Sequence, residues 1–225
     1  MGINENVERD VYIKSEEGWR KERRVVTEVI IKADDYPPAV SSRTDIMVDI
    51  ETLGNKPDSN IIQLAAATFD IRTGYVGRIF NECANITMNE TMKTTGSTIK
   101  WWLNTNKELL QDILNRGSMS SDDLVRCFCR WLNEQEGAVY LWGDGTLFDN
   151  NLIRTQMENL GLKYPINYRN DRDVRTILEL AYTKVGKTRE QFLARYENNN
   201  AHDAIDDVLH QIEIVTDCYN ILTND

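Results

Sequence analysis

The sequence predicts an α/β domain built on a mixed β-sheet, with three antiparallel strands first, parallel strands after them, and helices on its flanks. Three observations predict it. Three apolar, β-branched runs follow one another with only short turns between them; stretches of helical periodicity come next; a compact apolar strand then alternates with further helices.

Residues 1–44 stand apart from that pattern. They are dense in charge, end in Asp34-Asp35-Tyr36-Pro37-Pro38 and pass through Ser41-Ser42 into an apolar strand, which places a domain boundary there. Residues 25–32 (VVTEVIIK) are β-branched and can pair with residues 10–14 across a Glu16-Glu17-Gly18 turn as a small hairpin. Arg20, Lys21, Arg23 and Arg24 could meet phosphates, but Glu16, Glu17 and Glu22 interleave them, which reads as a solvated face.

The main domain is residues 45–225. Residues 45–51 (DIMVDIE), 61–70 (IIQLAAATFD) and 75–86 (YVGRIFNECANI) read as strands, and the short turns between them imply an antiparallel meander. Helices are expected over 97–104, 107–115 and 121–134, where Leu124, Val125, Phe128, Trp131 and Leu132 recur at helical spacing. Residues 138–142 (AVYLW) form the next strand, and Gly143-Asp144-Gly145 turns it into a helix beginning near Phe148 and ending before Gly161. Further helices are expected over 172–185 and 203–222. This order of elements is that of ribonuclease H-like folds.

Bulk properties narrow the function classes. A chain of 225 residues suits one domain with an appendage, and 41% hydrophobic with 28% charged residues excludes a disordered or fibrous chain. No apolar run approaches the roughly 18 residues of a membrane span, and the opening MGINEN has no signal-peptide pattern, so a cytoplasmic location and no membrane partner are expected. Cys83, Cys127, Cys129 and Cys218 show no CxxC spacing, which excludes a zinc ribbon and leaves reduced structural thiols. The net charge of −10 argues against a basic face wrapped around nucleic acid. It is compatible with a nuclease that meets its substrate through cations held by carboxylates, because bound ions reverse the local sign.

Three acidic motifs carry the chemistry. Asp49 and Glu51 lie two apart on a strand and so project from one face; two like charges on an apolar strand are costly unless a cation lies between them. Asp149 follows the turn after the AVYLW strand, where an N-cap is the plain alternative. In Ala201-His202-Asp203-Ala204-Ile205-Asp206-Asp207, His202 sits just outside the last helix and Asp207 about one turn in, so both can reach a shared point. Asp206 points about a hundred degrees away and reads as a solvated neighbour. His210 has no acidic motif around it and is given no role.

The order D-x-E, then an F-D turn, then H-x-A-x-x-D resembles the DEDDh 3′-5′ exonucleases, the family that includes polymerase proofreading subunits. Asp49, Glu51, Asp149, His202 and Asp207 match its five positions over residues 45–217, while residues 1–44 fall outside. DIETLG at 49–54, TIKWW at 98–102 and RDVRT at 172–176 look like the branch containing the phage T4 exonuclease A and a mycobacterial exoribonuclease. The resemblance implies two Mg²⁺ or Mn²⁺ ions on Asp49, Glu51, Asp149 and Asp207, with His202 as general base and Glu51 beside it in catalysis. It also implies that Thr52, Leu53 and Gly54 wall the substrate pocket, Leu53 as a base wedge and Gly54 through close backbone approach. Trp101 or Trp102 could extend that platform, although adjacent helical residues cannot face the same way, so at least one belongs in the core. The expected activity is release of nucleoside 5′-monophosphates from the free 3′ end of single-stranded DNA, with RNA as the alternative and a catalytically silent binding module as a second one.

Overall fold

The computed structural model describes residues 3–15, 18–30, 43–196 and 201–224. The chain divides into two compact units, Met1–Ser42 and Arg43–Asp225. In the first, β1 (Ile3–Ser15) pairs antiparallel with β2 (Gly18–Ile30), from Ile3 opposite Ile30 to Ser15 opposite Gly18. Glu16 and Glu17 of the expected turn, residues 31–32 of the expected strand, the boundary segment 34–42 and the polar run 197–200 lie outside the described residues.

The second unit is a five-stranded mixed sheet between helices. Its elements are β3 (Arg43–Thr52), β4 (Ile61–Phe69), β5 (Val76–Cys83), α1 (Gly96–Thr105), α2 (Lys107–Arg116), α3 (Ser121–Asn133), β6 (Ala138–Gly143), α4 (Asp149–Asn159), β7 (Asp171–Asp173), α5 (Val174–Lys184), α6 (Arg189–Leu193) and α7 (Ala204–Thr223). The strand order is β5-β4-β3-β6-β7. The expected meander is there: β4 runs antiparallel to β3 and to β5. Strand β6 then lies parallel to β3, with Met47 opposite Trp142.

Three features differ from the sequence reading. The strand expected over 75–86 ends at Cys83, and Ile86–Met88 form a short 3-10 helix. Residues 171–173 form a short strand parallel to β6, and the helix expected from 172 starts only at Val174. Three charged residues carry no apolar alternation, so their pairing exists only because β6 offers a free edge, and the Asp173 side chain caps the helix by accepting from the Arg175 N–H. Helix α6 was not anticipated either, although Thr188 and Gln191 form a reciprocal capping box at its start.

Alternation along β3 divides its side chains between two layers. Ile46, Val48 and Ile50 enter the main core with Leu124, Phe128 and Leu132 of α3 and Leu152 and Ile153 of α4. Asp45, Met47, Asp49 and Glu51 take the opposite face, and α7 packs on β3 and β4. Parallel pairing puts the carboxyl ends of β3 and β6 at one edge of the sheet, and in open α/β sheets that edge is where sites form. Asp49 and Glu51 end β3 at that edge, and Asp149 begins the helix leaving β6.

All four cysteines are free. Cys83, Cys129 and Cys218 are buried as expected of structural thiols, whereas Cys127 is only half-buried.

Candidate active site

Strand β3 brings Asp49 and Glu51 to its carboxyl end on the face that α7 covers. One ligand atom each from Glu51, His202 and Asp207 lies within 4.8 Å of the others. Asp49 accepts a hydrogen bond of 3.1 Å from Gln211 Nε2, and Gln211 lies one helical turn beyond Asp207 on α7. The same helix face therefore reaches both acids of the strand.

The electrostatics tie Asp149 to the same place. Burial raises the Asp49 carboxyl well above the usual range, and the charges of Asp149, Glu51 and Asp207 raise it further. Burial likewise holds Glu51 well up, with Asp207 and Asp149 adding to it. Asp149 is 4% exposed and is pushed up to about 7, chiefly by burial and then by Asp144. Four carboxylates crowded into a poorly hydrated site repel one another, and a divalent cation relieves that repulsion. The donor set is mainly hard oxygen and the spacing suits one shared cation, so these residues fit Mg²⁺ or Mn²⁺.

Asp149 is the first residue of α4; Phe148, not Asp149, holds the cap position and caps nothing with its side chain. The turn before it is fixed from outside. Asp173 Oδ2 accepts from Thr146 N–H at 2.9 Å, while Arg175 reaches the Asp144 carboxylate at 3.0 Å and its carbonyl at 2.7 Å. Gly145 has φ 113°, a backbone that favours glycine, and the Arg175 guanidinium lies against it. The RDVRT segment thus anchors the loop that presents Asp149.

His202 adopts a left-handed backbone, φ 73°, which is uncommon outside glycine and is held by its surroundings. Its N–H donates to Asp207 Oδ2 at 2.9 Å, so the acid one turn into α7 also fixes the backbone of the histidine. Trp101 packs edge-on to the imidazole, with ring centroids 4.9 Å apart. Asp203, the neighbour of His202 that the motif spacing passes over in favour of Asp207, is committed elsewhere. Its side chain accepts from Gln63 and Arg116, each at 2.8 Å, and caps α7 through the Ile205 N–H.

The expected substrate wall behaves differently from its sequence reading. Leu53 is 4% exposed and packs with Ile62, Trp102, Leu110 and Ile113, so its side chain belongs to the core and is not presented as a wedge. Gly54 lacks a side chain because a Cβ there would collide with Ser59 Oγ, which is an intramolecular reason for the glycine. Thr52 is buried, its hydroxyl donating to the Gly54 carbonyl at 2.7 Å. Of the two tryptophans, Trp102 is the core residue, its indole N–H donating to the Thr52 carbonyl at 3.0 Å, and Trp101 is 42% exposed. Gln211, Gln63, Arg116 and Asp173 were missed. Only Asp173 carried a signal, as an acid just before an apolar helical run.

Residues 44–219 match the family described as the 3′-5′ exoribonuclease Rv2179c-like domain. No curated protein matches the chain by sequence. Among solved structures, the chain resembles the nuclease domain of 3′hExo, a DEDDh family member bound to rAMP, at 16% identity and a TM-score of 0.55, covering 79% of this chain and 92% of that one. It also resembles cell-death related nuclease 4, at 18% identity and a TM-score of 0.58, covering 79% of this chain and 64% of that one. The Escherichia coli ExoI–ssDNA complex aligns at 16% identity and a TM-score of 0.59, covering 80% of this chain and 41% of that one. The chain thus spans just under two thirds of the one nuclease and less than half of the other. Matched over more than three quarters of its length, the chain belongs to the Rv2179c-like 3′-5′ exoribonuclease domain family.

Proposed function

We propose that this protein removes nucleotides from the free 3′ end of a single-stranded nucleic acid by phosphodiester hydrolysis, releasing nucleoside 5′-monophosphates. The observation that carries the proposal is the meeting of Glu51, His202 and Asp207 within 4.8 Å beside the half-buried Asp49. We assign Asp49, Glu51, Asp149 and Asp207 to the binding of two Mg²⁺ or Mn²⁺ ions, which when bound would polarise the phosphate and activate the attacking water. His202 takes the proton of that water on its imidazole, a group suited to the task near neutral pH. Asp207 keeps His202 in place through its backbone N–H. Gln211 orients the Asp49 carboxylate by donating to Oδ1. The Leu53 and Thr52 side chains are buried, so we assign Thr52 and Gly54 to the terminal nucleotide through their backbone, and the exposed Trp101 offers a ring on which any base can stack.

The family description favours RNA as the substrate, and the DIETLG, TIKWW and RDVRT segments are what supports the branch of the mycobacterial exoribonuclease and the phage T4 exonuclease A. Single-stranded DNA, the first choice from sequence, is the second reading, supported by the DNA-bound relative of the same fold. Digestion of matched single-stranded and duplex RNA and DNA, each labelled at the 3′ or the 5′ end, with Mg²⁺ or Mn²⁺, tests activity, polarity and sugar preference together. Early release of the 3′ label is expected for wild type and not for Asp49→Ala; equal activity of the two proteins would end the enzyme reading.

A further inference from the structure

We propose that the α1–α2 hairpin is a bracket that holds His202 in its working orientation, with Trp101 against the ring and Arg116 gripping the next residue, Asp203. Both are positioning residues in this account, which rests on His202 being the base of the proposed hydrolysis.

The argument starts at His202. A left-handed backbone at a non-glycine residue needs support from its surroundings, since the conformation is costly for L-amino acids. One support is Asp207, from the same helix. The others come from residues remote in sequence. Gln63 on β4 engages both sides of the joint after His202: its Nε2 donates to Asp203 at 2.8 Å and its Oε1 accepts from the Ala204 N–H at 3.2 Å. Arg116, the last residue of α2, donates from Nη2 to the other Asp203 oxygen at 2.8 Å. Asp203 is 6% exposed, and a buried carboxylate without these donors would be strongly unfavourable. The loop must therefore sit where Arg116 and Gln63 meet it.

The hairpin is itself rigidly attached. Asn106 ends α1 and caps α2, where its side chain accepts from the Leu109 N–H. Trp102 ties α1 to the Thr52 carbonyl at the end of β3. Arg116 is steadied by Asp112, one turn earlier, at 2.9 Å. The strand end that carries Glu51 and the loop that carries His202 are thus referred to one hairpin. A shift of about 1 Å in a reacting group can cost on the order of a hundredfold in rate.

The test uses the full chain as wild type, Arg116→Met, Arg116→Lys, Asp203→Asn and the Arg116→Met/Asp203→Asn double variant. With only two histidines in the chain, the imidazole NMR signals of His202 and His210 are readily told apart, and Trp101 imposes a ring-current shift on His202. The expected result is a fall in kcat on the order of tenfold or more in Arg116→Met and Asp203→Asn, at unchanged KM and unchanged Mn²⁺ affinity. The His202 signal is expected to move while that of His210 stays. The double variant should be no slower than the worse single one, because both break the same contact. Arg116→Lys should recover part of the loss, since one ammonium cannot hold Asp112 and Asp203 as the guanidinium does.

Unchanged kcat with an unmoved His202 signal would overturn the bracket. So would a raised KM with altered salt dependence, which would make Arg116 a phosphate contact, and so would weakened Mn²⁺ binding, which would place the network in metal binding. If Asp203→Asn fails to fold, the two Arg116 variants decide alone. If wild type releases no 3′ label, the proposed function fails, while the NMR comparison still tests the bracket.

Discussion

At the scale of single residues, His202 and Asp207 separate two roles that sequence spacing places side by side. Loss of the imidazole leaves the four carboxylates in place, so His202→Ala is expected to bind Mn²⁺ as wild type does and to lose most turnover. Asp207→Ala removes a carboxylate and also the acceptor that holds the His202 N–H, so it should lose both. Mn²⁺ titration by electron paramagnetic resonance checks this, and equal affinities in the two variants would contradict the division. Asp149 sets a second expectation. Its folded-state pKa of about 7 lies above the ordinary aspartate value of 3.8, so the folded metal-free protein binds the extra proton. That contribution to stability is present below pH 4 and is lost as pH rises toward 7. Thermal melts in chelator should therefore show stability falling over that window, more steeply in wild type than in Asp149→Asn. Parallel profiles would refute it. Among the acids near His202 the motif spacing selects Asp207, and in the structure Asp203 is taken up by Gln63 and Arg116.

At the scale of elements, adjacent tryptophans divide between stability and function. Trp102 fills the cluster around Leu53 and Ile113 with its indole N–H satisfied, so Trp102→Ala is expected to cost about 3–5 kcal/mol in a denaturant titration. Trp101→Ala should change stability little, because that ring is exposed. The start of α5 makes a parallel case. Asp173 caps the helix and also receives the Thr146 N–H, so Asp173→Ala should lose about 1 kcal/mol of capping and slow the enzyme by loosening the turn before Asp149. A stability loss with no change in kcat would assign Asp173 to the cap alone. Long periodic elements were legible because a buried helix or strand face repeats every 3.6 or 2 residues. Strand β7 was not, since three charged residues have no such repeat and pair only because β6 presents an edge.

At the scale of the whole molecule, parallel pairing of β3 and β6 is what makes one site from three distant motifs. Every matched residue lies in the unit Arg43–Asp225, so that unit by itself is expected to retain 3′-end activity and Mn²⁺ binding. Loss of turnover on removal of residues 1–42 would show that the first unit takes part. No helix among the described residues is long and apolar enough to cross a membrane. Bound cations should also stabilise the fold, by about 2.7 kcal/mol at a hundredfold excess over Kd, and much less in Asp49→Ala.

The sequence by itself determined the long elements, their order and the five matched residues, because periodicity, turn chemistry and motif spacing are local properties of a chain. Only the tertiary structure decided that Leu53 turns inward, that Gly54 makes room for Ser59, and that Gln63, Arg116, Asp173 and Gln211 stand behind the site. Those assignments depend on contacts between residues far apart in the chain, and burial and hydrogen-bond partnership come into being only when the layers close.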